Sequence, residues 1–226
     1  MSPMLQLILA SIVFLATHYI ASTPLRDTLF AVMGRAYLAM YVLIAFATLG
    51  WMIHAFYHAP YMNLWYAVSL RSVPLVVMPF ALILLVCGVS TPNPTAVGQE
   101  KHLKSAATAR GILRITRHPM MWSFALWSLS HMIARGDAAS LIFFGTFGVL
   151  ALSGTWLIDR RKARANPEAW KQFTAVTSNL PFGAIAAGRN QFRPGELGAW
   201  KIVVALVIYA VLVKFHHTLF GAQATF

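Results

Sequence analysis

The stretch SVPLVVMPFALILLVCGVS, residues 72–90, contains no charged side chain and no histidine. At ~1.5 Å per residue, a helix of this length approaches the ~30 Å hydrocarbon core of a bilayer. Five further apolar runs punctuate the chain, and together they predict spans at about 4–22, 36–56, 72–90, 119–135, 138–157 and 200–219. We therefore predict an all-α polytopic membrane protein, one integral-membrane domain over residues 1–226, with short amphipathic segments in its cytoplasmic loops.

The composition of the whole chain favours the same class of protein. Of its 226 residues, 58% are hydrophobic and only 11% are charged, and the mean hydropathy is +0.65. That is too little charge to cover a water-facing surface of this size. The single cysteine, Cys87, excludes an intramolecular disulfide and a cysteine-based metal cluster. Residues 1–25 contain no Lys or Arg, so we expect the first run to remain as a span rather than to act as a cleaved signal.

The distribution of basic residues predicts the orientation. The net charge is +12, and fifteen of the eighteen Lys and Arg residues fall on one side of the six spans. The positive-inside rule then places both long loops in the cytoplasm and both termini on the outer side of the membrane. Basic loops of this kind attract anionic lipids, so we expect membrane lipids and no nucleic acid as partners. The oligomeric state stays open.

The second long loop contains the segment NPEAWKQF, residues 166–173, which has the marks of a helix start. Asn166 can cap the helix and Pro167 suits its first turn. Trp170 and Phe173 are three positions apart and share a face. We expect this short helix to lie along the membrane surface.

Four of the eight histidines, His18, His54, His118 and His131, fall within or at the rim of predicted spans. Ionisable residues there are costly and mark candidate functional sites. The six carboxylates all fall in loops or at span ends, so a calcium or magnesium site within the bilayer is disfavoured. Imidazoles in an aromatic-rich bundle suit haem. The alternative is a buried neutral histidine bonded to a backbone carbonyl.

The fourth span carries an aromatic stripe that ends on a histidine. Met120, Phe124, Trp127 and His131 recur at helical spacing and share one face of the helix. Such a face could form the wall of a cofactor site, although ordinary helix packing produces the same pattern.

A second candidate site lies at the start of the same span. Arg114, Arg117 and His118 precede Pro119, which suits the first turn of a helix. Free backbone amides and two guanidinium groups favour an anion such as a lipid phosphate, a haem propionate or an acidic group of a substrate. The alternative is a basic collar at the cytoplasmic interface.

Three segments carry a resemblance to a known family. HYIASTPLRD, RGILRITRHPMMWSFALWSLSHMIARGDAAS and DRRKARANPEAWKQFTAVTSNLPFGAIAAGR resemble the NnrU family, which includes the 15-cis-zeta-carotene isomerases, in the family's order and at about its spacings. The resemblance implies an all-helical inner-membrane protein. Bacterial members are associated with denitrification and nitric oxide metabolism, and the isomerases bind haem b and use its iron to isomerise a carotene double bond.

The resemblance also implies particular ligands. The isomerase haem ligands correspond to His18 and His131, and Ser128 stands where the isomerases have a cysteine. On the predicted topology, however, His18 lies near the cytoplasmic end of span one, whereas His131 lies roughly 20 Å along span four from His118. We keep His18 and His131 as the expected iron ligands, with His54 as the first substitute.

Three functions remain open at this point. The first is a haem b protein with redox or nitric-oxide-linked chemistry, or with isomerisation of an apolar polyene. The second is a methyltransferase that uses S-adenosylmethionine, suggested by the RHP element at residues 117–119. The third is a non-catalytic factor for assembly of a denitrification or respiratory complex. We expect an apolar or small-molecule substrate under the first.

Overall fold

The fold is known from a computed structural model, which describes residues 1–96, 99, 103 and 109–221. Lys101, His102 and Lys104, which belong to the first of the two long loops predicted to be cytoplasmic, lie outside this part. The helices that it describes are α1 (Pro3–Ile20), α2 (Pro24–Met33), α3 (Ala36–His58), α4 (Val73–Ser90), α5 (Ile112–Ile115), α6 (Pro119–Arg135), α7 (Ala138–Ala165), α8 (Pro167–Val176), α9 (Gly183–Ala186) and α10 (Ala199–Phe220). Short 3-10 helices at Val68–Ser72 and Pro194–Leu197 precede α4 and α10.

The six predicted spans correspond to α1, α3, α4, α6, α7 and α10. Five segments are long and apolar enough to cross a membrane: Pro3–Ile20, Ala36–His58, Val68–Ser90, Ala138–Ala165 and Ala199–Phe220. Helix α6 has 17 residues, which is at the short limit for a spanning helix. The prediction of an all-α, multi-pass membrane protein is confirmed.

The long helices pack in a row. Helix α3 packs against α1, α1 against α7, α7 against α6, α6 against α4, and α4 against α10. Small residues bring α6 and α7 together, since a Cβ added at Gly148 would lie 2.9 Å from the Ser128 hydroxyl oxygen. Helices α6 and α10 both pack against α4, and a space remains between them.

The row has two chemically different ends. We call the basic end the one that carries α5, α8, α9 and the 3-10 helix Pro194–Leu197. The aromatic end carries residues 59–72 and the turn between α6 and α7, and it exposes Tyr61, Trp65 and Tyr66. Aromatic side chains concentrate at membrane interfaces, so the composition of this end suits a position at the membrane surface. That the basic end faces the cytoplasm stays a prediction.

The turn at the aromatic end is fixed by one glycine. Gly136 ends α6 in the left-handed conformation, with φ of 62°. The backbone N–H groups of Leu64 and Trp65 donate to its carbonyl at 2.8 and 3.1 Å. Asp137 then caps α7 by accepting from the backbone N–H of Ser140 at 2.9 Å. The aromatic segment is thus held against the α6–α7 turn.

Two parts of the basic end differ from the prediction. Helix α7 continues to Ala165, past the expected end at 157, because basic side chains near a helix C-terminus interact favourably with its dipole. Helix α8 forms as predicted, but its aromatic face is turned towards the protein; that the helix lies along the membrane surface stays a prediction. Trp170 and Phe173 are buried and pack against Leu103 and Ala163. Contact with the protein removes these rings from lipid and water alike.

Candidate functional site

A cavity of about 570 Å³ occupies the space between α6 and α10 at the aromatic end. Its volume lies within the ~300–1,000 Å³ typical of ligand and cofactor pockets. Helix α4 forms its floor with Leu75, Met78 and Leu82. The polar and aromatic side chains around it are Tyr61, Arg71, Trp127, His131, Arg135, Tyr209 and His216.

His131 lines this cavity, and its ring is held by the helix that carries it. The Nδ1 atom lies 2.7 Å from the carbonyl oxygen of Trp127, which can only accept, so Nδ1–H is the donor. This hydrogen bond fixes the tautomer and leaves the lone pair on Nε2 for a ligand. The rings of Phe144 and Trp127 lie 5.1 and 5.8 Å from the imidazole, between centroids. His131 is therefore a preorganised electron-pair donor in aromatic surroundings.

The charged groups around the cavity are cationic. Arg71 and Arg135 line it together with the two histidines, and among the described residues no Asp or Glu does. Arg135 also lies 3.4 Å from the Asp137 carboxylate, and the Arg71 guanidinium lies 5.5 Å from the ring centroid of Tyr66. A cationic cavity beside a bilayer favours a ligand that brings negative charge of its own.

Only part of the aromatic stripe of α6 lines the cavity. Trp127 lines the cavity and also packs against Phe144 and Phe147, each at 5.1 Å between ring centroids. Phe124, predicted as a cofactor contact, is 42% exposed and does not line the cavity. Ser128 is fully buried, and its hydroxyl donates to the carbonyl oxygen of Phe144 on α7. The position of the isomerase cysteine thus faces α7.

His18 lies at a different depth from His131. Its Nδ1 donates to the Phe14 carbonyl at 2.7 Å, and its ring contacts Phe14, but it does not line the cavity. The neighbouring Tyr19 hydroxyl lies 2.8 Å from that of Ser153 on α7, whereas His131 packs against Phe144. Ser153 and Phe144 are nine positions apart, roughly 14 Å along the helix. The structure does not bring the two expected iron ligands together.

The substitute ligand is also outside the cavity. His54 is exposed on α3, where its ring lies 4.2 Å from that of His58. The buried side of α3 carries Met52 and Ala55, which pack into the core with α1 and α7. His54 therefore points away from the core that α3 shares with α1 and α7.

At the basic end, Arg117 and His118 meet a carboxylate of this chain. The Arg117 guanidinium donates to both oxygens of Asp159, and His118 Nε2 lies 2.6 Å from Oδ1. Burial lowers the pKa of His118, opposed by its hydrogen bond to Asp159. The His118 side chain is 1% exposed, and its Nδ1 is without a hydrogen-bond partner in the described part of the chain. A neutral imidazole with its proton on Nε2 satisfies this arrangement.

Arg114 is paired in the same way. It binds Glu196 at 2.8 and 3.0 Å and also donates to the side chain of Asn190. The Arg114 hydrogen bond, followed by that from the Gly111 backbone, lowers the pKa of Glu196 to about 2. At this end the chain supplies its own anions, Asp159 and Glu196, to the residues predicted to bind an external one.

Sequence reasoning missed His216, Arg71, Arg135 and Tyr209. His216 was not predicted as a site residue because it lies beside Lys214 and His217 near the end of the sixth span. That pattern favours an anchor at the membrane interface. A usable signal was present, since His131 and His216 each fall near the same predicted side of the membrane. Within the described residues, no group of three His, Cys, Asp or Glu side chains could hold a metal ion.

The fold and this site define a multi-pass helical membrane protein with a cationic, histidine-bearing cavity between its helices. Residues 6–224 match the NnrU protein family, and the chain belongs to that family.

Two curated relatives share part of this sequence. The chloroplastic 15-cis-zeta-carotene isomerase of Arabidopsis thaliana is 38% identical over 82 residues, which are 35% of this chain and 22% of the relative. The enzyme of the same name from Zea mays is 36% identical over 83 residues, 36% of this chain and 22% of the relative. The similarity thus spans about a fifth of each relative. No solved structure matches the chain significantly.

Proposed function

We propose that this protein binds haem b in the cavity between α4, α6 and α10 and acts as an isomerase of an apolar polyene. The observation that carries the proposal is the placement of His131, whose Nδ1 is engaged by Trp127 while its ring lines a cavity of about 570 Å³. An imidazole held in this way is a suitable axial ligand for iron.

The residues around His131 fit the rest of the cofactor. Haem b presents an apolar macrocycle with two acidic side chains, and the cavity offers aliphatic and aromatic walls beside two arginines. Arg71 and Arg135 would hold the acidic groups, and Trp127 and Tyr209 would hold the ring. When bound, haem supplies an iron whose oxidation state and ligands can change.

The chain's own residues also prepare the cavity for an apolar substrate. Helix α10 exposes most of its apolar surface, so a polyene dissolved in the bilayer would meet this wall of the cavity first. Met78 and Leu212 offer no hydrogen bond that would select a polar molecule instead. Zeta-carotene, which the names of the two relatives carry, is the member of this substrate class to test.

The test is isomerisation of 15-cis-zeta-carotene by the full chain in liposomes supplied with haem b. We expect the cis substrate to be converted in the dark, and we expect conversion to stop when His131 is replaced by alanine. The matched control is His58→Ala, which removes an exposed histidine of α3. Equal conversion by the His131→Ala variant, or none by the native chain, would contradict the proposal.

The methyltransferase reading loses its main support in this geometry. It required Arg117 and His118 beside a cofactor, and both contact Asp159 instead. Binding of labelled S-adenosylmethionine by the full chain remains the direct test of that alternative.

A further inference from the structure

A second histidine lines the cavity from α10, His216. We propose that His216 is the second axial ligand of the iron and faces His131 across the cavity, an inference that rests on the haem binding proposed above.

His131 and His216 lie at the same depth. Helices α6 and α10 both start at the basic end and finish at the aromatic end. His131 is four positions before the last residue of α6, Arg135, and His216 is four positions before the last residue of α10, Phe220. Each histidine thus sits about one turn from the same end of the bundle. Two axial ligands of one iron require this match.

Both imidazoles border the same space. Each lines the cavity of about 570 Å³, His131 from α6 and His216 from α10. Helix α4 lies between the two helices and packs against both, so it sets their separation. His18, by contrast, belongs to the α1–α7 side of the row and to the other depth.

The charge of the cavity points to the same ligand. Two arginines and two histidines line it, and no described lining residue is acidic. Ferric haem coordinated by two neutral imidazoles adds one positive charge at the iron and two negative charges at its carboxylates. The carboxylates would therefore meet Arg71 and Arg135, of which Arg135 already lies 3.4 Å from the Asp137 carboxylate.

The test is titration of the purified full chain in nanodiscs with ferric haem b, followed by absorption and electron paramagnetic resonance spectra. We expect a low-spin, six-coordinate iron in the native chain and in His217→Ala. His217 is the matched control because it adjoins His216 on α10 but is exposed and outside the cavity.

His216→Ala should give a high-spin, five-coordinate iron and a Kd for haem about tenfold or more higher, because one axial ligand is lost. Free imidazole should restore the low-spin spectrum to this variant. That rescue would show that the variant is folded and that only the ligand is missing.

Two results would overturn the inference and leave haem binding in place. One is a low-spin spectrum and unchanged affinity in His216→Ala. The other is loss of the low-spin spectrum in His18→Ala with His216→Ala unaffected, which would assign the second ligand to α1. Failure of the native chain to bind haem would overturn the proposed function itself.

Discussion

Asp159, in the C-terminal part of α7, binds both Arg117 and His118 at the start of α6. These contacts hold the two helices together at the basic end. Arg117 and Asp159 are largely buried, with side chains 13% and 16% exposed. Removing one member of such a pair leaves the other charge without compensation.

Asp159→Asn should therefore lower the free energy of unfolding by about 3 kcal/mol. Glu168→Gln is the matched control, since it also turns a carboxylate into an amide but lies exposed at the start of α8. Reversible unfolding in detergent measures both. Equal stability of the two variants would show that the Asp159 contacts contribute little.

Glu196 gives the basic end a dependence on pH. Its pKa is lowered from 4.5 to about 2, mainly by Arg114, so the folded state releases this proton more readily than the unfolded state. The contribution to stability is fully present above the unfolded pKa of about 4.5 and is lost as the pH falls towards 2.

We expect the native chain to unfold at a higher temperature than Glu196→Gln at pH 6. The gap between the two should close as the pH falls from about 4.5 to about 2. Thermal unfolding across this range checks the expectation. A gap of constant size down to pH 2 would be the contrary result.

Among the elements, the α6–α7 turn determines how the aromatic segment covers the end of the bundle. Gly136 has a positive φ, and a Cβ at this position would collide with the carbonyl oxygen and indole of Trp65. Trp65 in turn donates from Nε1 to the Ile133 carbonyl at 3.1 Å. The turn and the segment therefore depend on each other.

Gly136→Ala should be more destabilising than Gly188→Ala. Gly188 also has a positive φ, of 68°, but a Cβ there would meet nothing within 4 Å. Both variants bear the cost of the left-handed conformation, about 1–2 kcal/mol, and the collision at Gly136 adds a further ~1–3 kcal/mol. Chemical unfolding measures the free energy of unfolding of both variants. Equal decreases would mean that Trp65 moves aside from the added Cβ at little cost.

The helices differ in how well the sequence predicts them and their contacts. The spans were predictable because each is an apolar run with punctuation on both sides, and α8 because Asn166 and Pro167 mark its start. The burial of Trp170 was not, since the same face suits lipid or a protein surface. Its contacts with Leu103 and Ala163 are tertiary and leave no periodic signal.

At the scale of the whole molecule, the site follows from the order of helices across the row. His131 was predictable as an unusual residue within an apolar run. The cavity was not, because it needs α6 and α10, far apart in the chain, to lie on either side of α4. The charge partners Asp159 and Glu196 are likewise 42 and 82 positions from their arginines. Local pattern does not encode such distances.

The orientation of the row is a further whole-molecule prediction. In a Cys87→Ala background, Met62→Cys places a thiol at the aromatic end and Gln191→Cys places one at the basic end, both at exposed positions. A membrane-impermeant maleimide should label only the first in intact spheroplasts, because the basic loops are retained in the cytoplasm. Labelling of Gln191→Cys alone would show that the protein has the opposite orientation.

The role proposed for this cavity depends on His131 holding haem b between α4, α6 and α10. The most direct measurement is a pyridine haemochrome assay on the full chain purified from cells supplied with haem. We predict about one haem b per chain for the native protein and for His217→Ala, and almost none for His131→Ala. A native chain without haem, or a His131→Ala variant that retains it fully, would contradict the account.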